Sequence, residues 1–99
     1  MLLIEKHKKQ IEELCKTHNV KKLYTFGSVN TDKFTLESDI DLLVDFKTGD
    51  PLEYSDNYFD LKFKLEDIFN RKIDLLELKS LHNPFLKKTI DNTKILVYG

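Results

Sequence analysis

The segment Asp39-Ile40-Asp41-Leu42-Leu43-Val44-Asp45-Phe46 constrains the fold more than any other stretch of this sequence. Its density of Ile, Leu and Val suits a strand buried on both faces, as in sheets with helices packed over them. Three further segments read as strands: residues 21–26, which run into a Gly27-Ser28 turn, residues 72–78, and residues 94–98. Between them lie helical patterns. Residues 3–18 place Ile4, His7, Ile11, Leu14, Cys15 and His18 at a spacing of three to four, with Glu5/Lys9 and Glu12/Lys16 as pairs on the polar side. This spacing predicts one amphipathic helix ending near Asn19. Asp50-Pro51 marks a loop, and Ser55 or Asp56 can cap a helix from Tyr54 to Asn70. That helix carries two stripes, Tyr58/Leu61/Leu65/Ile68/Phe69 and Phe59/Phe63. Asn83-Pro84 has the form of an N-cap followed by proline at the first helical position, opening a short helix to about Asn92. The order α-β-β-α-β-α-β predicts an α/β fold with helices packed on a sheet, and 99 residues make one domain, 1–99.

Composition narrows the function classes. Sixteen Lys and Arg against seventeen Asp and Glu leave a net charge of −1. A general nucleic-acid or anionic-membrane binder needs a basic excess, so neither partner is expected. A single cysteine, Cys15, allows no intrachain disulfide. No apolar run approaches the roughly 20 residues of a spanning helix, and charge follows the short apolar start, the reverse of a secretory signal. The expectation is a cytoplasmic protein.

The chemistry centres on acids set inside apolar strands. Asp39 and Asp41 sit two apart, so on a strand both carboxylates project to one side of the sheet. Two anions so close repel, each raising the other's pKa, unless a cation lies between them. Hard oxygen ligands at this spacing suit Mg²⁺ or Mn²⁺. Asp74 repeats the pattern in Lys72-Ile73-Asp74-Leu75-Leu76-Glu77-Leu78 and completes a three-carboxylate cluster if the two strands are neighbours. A glycine directly after a strand, as at Gly27, lets backbone approach a phosphate, and the following N–H groups and the Ser28 hydroxyl can cradle it. Phosphate anchor and metal ligands together are the parts that phosphoryl-type transfer requires. His7, His18 and Cys15 lie on an apolar stripe and read as packing residues, His82 reads as a loop residue, and no Cys/His spacing supports zinc.

Phe26-Gly27-Ser28, then Ser38-Asp39-Ile40-Asp41-Leu42-Leu43-Val44, and later Arg71-Lys72-Ile73-Asp74-Leu75-Leu76 resemble the minimal nucleotidyltransferases of the DNA polymerase β superfamily. The resemblance covers roughly residues 20–98, and the spacing Gly-Ser, ten residues, Asp-x-Asp is met in full. It implies the nucleotidyltransferase fold, a mixed sheet of about four strands, with Asp39, Asp41 and Asp74 holding two divalent ions around ATP. By the same resemblance Gly27 and Ser28 hold the β- and γ-phosphates, and Asp74 sits beside the attacking hydroxyl. The family often follows Gly-Ser with Arg-Ala-Arg-Gly, where this chain has Val29-Asn30-Thr31-Asp32. Lys33 supplies a point charge rather than a bidentate fork, so the departure bears on nucleotide affinity and turnover, not on metal ligation.

Proteins of this kind are commonly paired with a helical HEPN-domain ribonuclease toxin. The resemblance implies transfer of AMP to a tyrosine of that toxin, with this chain as antitoxin. A second expectation is a catalytically weak antitoxin that neutralises its toxin by occlusion, using the Phe59/Phe63 stripe. Transfer to a small molecule ranks last, because a short domain offers little acceptor pocket. Homodimer and hetero-oligomer both stay open.

Overall fold

The computed structural model describes residues 2–27, 39–47 and 51–99. The chain runs α1 (Leu2–Lys6), α2 (Lys8–Thr17), β1 (Val20–Phe26), β2 (Ile40–Phe46), α3 (Pro51–Phe69), β3 (Ile73–Glu77), a 3₁₀ turn (Leu78–Ser80), α4 (Pro84–Thr93) and β4 (Ile95–Tyr98). The four strands form one mixed sheet in the order β3-β2-β1-β4. β1 is antiparallel to both β2 and β4, whereas β2 and β3 run parallel. The expected α/β architecture and strand count are met.

The sheet separates two environments by the period-2 alternation of its strands. Ile40, Leu42, Val44 and Phe46 of β2, with Ile73 and Leu75 of β3 and Leu23 of β1, join one buried cluster. Ile4 of α1, Ile11 and Cys15 of α2, and Leu61, Leu65 and Phe69 of α3 close it from the helical side. Burying each of these Leu or Ile side chains is worth about 1.5–3 kcal/mol, so this face carries most of the stability. Leu43 and Ile90 are also buried but lie outside that cluster. Leu43 alternates onto the opposite face of β2, and Ile90 is the buried residue of α4, beside Phe26 and Ile95.

Several local readings change. The predicted first helix is two, because the His7 N–H bonds back three residues to the Ile4 carbonyl at 3.2 Å, a tightened turn. Its ring packs edge-on against Phe69 at 5.3 Å, so a tertiary contact fixes the bend. The long helix begins at Pro51. Pro51 therefore opens a helix rather than marking loop alone, and Ser55 and Asp56 lie inside the helix rather than capping it. The neighbouring residues 48–50 lie outside the described residues. β3 ends at Glu77, so Leu78 belongs to the 3₁₀ turn.

The Asn83 cap holds as expected: its side-chain oxygen accepts from the Phe85 N–H at 2.9 Å and the Leu86 N–H at 3.2 Å. Asn19 and Asn70 take left-handed φ values of 60° and 51° just beyond α2 and α3, a conformation asparagine tolerates at helix ends. His18 is buried at the end of α2. Its Nδ1 lies 2.7 Å from the Leu14 carbonyl and its Nε2 lies 2.5 Å from Asp60 of α3, pinning the two helices together. Asp60 also pairs with Lys64 at 2.8 Å.

Candidate active site

The site lies at one end of the sheet, on the face opposite α2 and α3. β2 and β3 are parallel and in a register that sets Asp41 directly beside Asp74. Directly paired residues project to the same side, and strands stand about 4.8 Å apart, so the two carboxylates crowd each other. Their chain neighbours Ile40, Leu42, Ile73 and Leu75 turn the other way into the core. Asp39 stands exposed just before β2. The Ile40 N–H bonds the Lys72 carbonyl at 3.2 Å, the rung that brings the starts of the two strands together. Asp41 is half-buried, and its carboxyl is held above the ordinary value of 3.8, first by burial, then by the charges of Asp74 and Asp39.

Gly27 completes this end of the sheet from the other side. Phe26 pairs with Asp41 across β1 and β2, which brings the next residue onto the Asp41 side chain. A Cβ at Gly27 would stand 2.5 Å from Asp41 Oδ2, and φ is +73°, so glycine is required twice over, by space and by backbone. Beside Gly27 a groove of about 510 Å³ opens between α4 and the ends of β1 and β4, lined by Phe26, Leu86, Ile90 and Ile95. Ser28, with Val29 to Ser38, lies outside the described residues.

Of the residues singled out from sequence, Gly27, Asp39, Asp41 and Asp74 therefore meet at one sheet end. The donor set is chemically that of a Mg²⁺ or Mn²⁺ site, hard carboxylate oxygens held in mutual repulsion. Among the described residues no three His, Cys, Asp or Glu side chains are drawn close enough to form a ready-made site.

Tyr58 is a residue that sequence pattern assigns to the core alone. Its hydroxyl donates to the Leu75 carbonyl at 2.5 Å, and its phenol is pushed up by burial and then by the Asp74 and Glu77 charges. No local signal announces this, since it depends on α3 lying along β3. Tyr54, one turn earlier, is pushed up as well, by burial and then by its hydrogen bond to Glu77. The other candidates fall into structural roles. Cys15 is buried, its thiol pushed up to about 12 by burial and the Glu12 charge, which leaves no thiolate at neutral pH. His82 lies next to the Asn83 cap, outside any helix or strand. No described helix is long and apolar enough to cross a membrane.

The chain resembles known proteins in sequence and in fold. A protein of Methanocaldococcus jannaschii named as a candidate protein adenylyltransferase is 39% identical over 95 residues, covering 96% of this chain and 91% of the relative. The solved structure of a candidate minimal nucleotidyltransferase superposes with a TM-score of 0.76 at 27% identity, covering 92% of this chain and 89% of that one. A complex of a tri-AMPylated HEPN toxin of Shewanella oneidensis with its MNT antitoxin gives a TM-score of 0.66 at 21% identity over 97% of this chain and 72% of that one, a likeness of fold. Residues 9–99 match the family described as "Polymerase beta, Nucleotidyltransferase". With its acids paired across two parallel strands and its glycine against Asp41, the chain belongs to the polymerase beta nucleotidyltransferase family.

Proposed function

We propose that this chain transfers AMP from ATP to a hydroxyl of a partner protein, a tyrosine of a HEPN ribonuclease toxin, and so acts as that toxin's antitoxin. The observation that carries the reading is the register of Asp41 against Asp74, with Gly27 packed on Asp41. Support for the adenylyl group and the toxin comes from the adenylyltransferase name of the archaeal relative and the AMPylated toxin in the MNT complex.

In this reading Asp39, Asp41 and Asp74 hold two divalent ions, Mg²⁺ or Mn²⁺. Such ions, when bound, offset the triphosphate charge and polarise the α-phosphate. Gly27, lacking a side chain, and Ser28 anchor the β- and γ-phosphates. Asp74, on the edge strand, takes the proton of the acceptor hydroxyl. The acceptor oxygen forms a bond to the α-phosphorus, the bond from that phosphorus to the bridging oxygen breaks, and pyrophosphate leaves with the electron pair. A lone thiol and an ATP substrate fit the reducing cytoplasm.

The test is an intact mass of the co-purified HEPN partner after incubation with the chain, Mg²⁺ and ATP. A gain of one or more AMP units, absent with Asp39→Asn/Asp41→Asn, is the expected result. An unchanged partner mass in a stable complex overturns it. That outcome favours a second reading, neutralisation by occlusion, motivated by the exposure of Phe59 and Phe63. Under occlusion the Asp-to-Asn changes leave neutralisation intact, while Phe59→Asp or Phe63→Asp abolishes it.

A further inference from the structure

β3 is an edge strand, and among the described residues no fifth strand closes the side it turns away from β2. Along that edge a groove of about 380 Å³ runs between α3 and β3, lined by Tyr54, Tyr58, Phe59, Leu75, Leu76 and Glu77. Leu75 and Leu76 are the two residues after Asp74, so the groove begins where the carboxylate site ends. Its outer wall continues on α3. Phe59 is 53% and Phe63 59% exposed, four residues apart and therefore on one helix face. Phe59 also packs edge-on against Tyr58 of the groove wall, so ridge and groove form one continuous apolar surface.

Two details narrow the occupant. The Leu75 carbonyl already accepts the Tyr58 hydroxyl, which takes a backbone acceptor that strand addition along β3 would need. An entering segment is therefore held by its side chains. Charge is the second detail. α3 and β3 together carry seven carboxylates and two lysines, a local −5 in a chain whose net charge is −1. At helical spacings of three to four from Phe59 and Phe63, α3 places Asp56, Asp60, Glu66 and Asp67 against a single Lys62, and Asp60 is already paired with Lys64 and His18, so the ridge is flanked by a net acidic surface.

We propose that the α3–β3 groove and the Phe59–Phe63 ridge dock the acceptor polypeptide, gripping apolar residues flanked by Lys or Arg and presenting the adjacent hydroxyl to Asp74. The proposal rests on the transferase reading above and adds the direction from which the acceptor arrives. The two substrates then approach the sheet end from opposite sides, the acceptor over β3 and the nucleotide phosphates toward Gly27 on β1.

Two fluorescein-labelled peptides test it, each holding one Tyr among Leu and Ile residues, one flanked by Lys and Arg and the other by Asp and Glu. Anisotropy titrations with the full chain are expected to show the basic peptide binding at least tenfold tighter, with affinity falling as salt rises. The neutral change Phe59→Gln/Phe63→Gln weakens that binding at least tenfold while leaving MgATP affinity unchanged. Asp56→Lys, a single exposed change, narrows the preference between the two peptides. Equal affinities, no binding of either peptide, or binding indifferent to the Phe changes overturns the proposal. A homodimer in light scattering that dissolves on the Phe changes also overturns it and makes a second copy the occupant. A wild-type chain that binds the basic peptide but neither binds MgATP nor adds AMP to the peptide sinks the transferase reading alone.

Discussion

One strand, β2, shows both halves of this molecule. On its helix-covered face Ile40, Leu42, Val44 and Phe46 are buried beneath α2 and α3. On the other face the alternate positions are Asp41, Leu43 and Asp45, with only Leu43 fully buried. The first face is closed by apolar contacts from three helices and is built for burial. The second is left open around Asp41 and Asp74, where charges crowd at a cost to the fold. A single alternation thus divides one strand between stability and chemistry, and the charged face persists because the apolar face over-stabilises the same backbone.

The contrast can be broken at several points. Asp39→Asn/Asp41→Asn has the largest expected effect and opposite signs on the two properties. Under the proposed transferase function, AMP transfer to the partner falls by about a thousandfold or more, since ion-held charge would supply several kcal/mol to the transition state and about 1.4 kcal/mol is tenfold. The melting temperature of the same variant rises, because two of three repelling carboxylates are gone. A drop in melting temperature would show that these acids support the fold. Leu42→Ala, one residue away and facing inward, costs about 2–5 kcal/mol and lowers the urea midpoint with an unchanged slope.

Gly27→Ala sits between the two classes. Its φ of +73° costs a non-glycine residue about 1–2 kcal/mol, and the new Cβ pushes the Asp41 carboxylate aside. Thermal melts and MgATP titrations should both register the change. The smallest effect is a pH dependence on the helical side. The Asp60 carboxyl is held below the ordinary 3.8 by its Lys64 and His18 hydrogen bonds. Its contribution is therefore present above the unfolded value and is lost as pH falls through the lower folded value. Asp60→Asn should flatten the acid limb of stability below about pH 4 and leave neutral stability little changed, because the group is exposed.

How much of this is legible in the sequence differs from element to element. The Asn83-Pro84 helix start is readable because a cap is a contact between residues two and three apart. The two stripes of α3 are readable because helical spacing assigns faces without knowing what covers them. Leu61 and Leu65 are indeed buried while Phe59 and Phe63 are exposed. The break at His7 is not readable, because Phe69, the ring its imidazole packs against, arrives from α3 far along the chain. Nor is the link of Tyr58 to Leu75 and Asp74, for the same reason.

The sequence by itself determined the periodicities, the strand and helix types, and the placing of single acids within apolar strands. These rest on local backbone geometry and on which side chains water excludes. Only the tertiary structure decided that β2 and β3 are parallel neighbours with Asp41 against Asp74, and that β1 returns Gly27 to the same carboxylate. Strand pairing is chosen by the burial that the whole sheet gains when its apolar faces meet the helices. A carboxylate inside an apolar strand announces that it has a purpose, but its partners come from segments that only folding brings alongside.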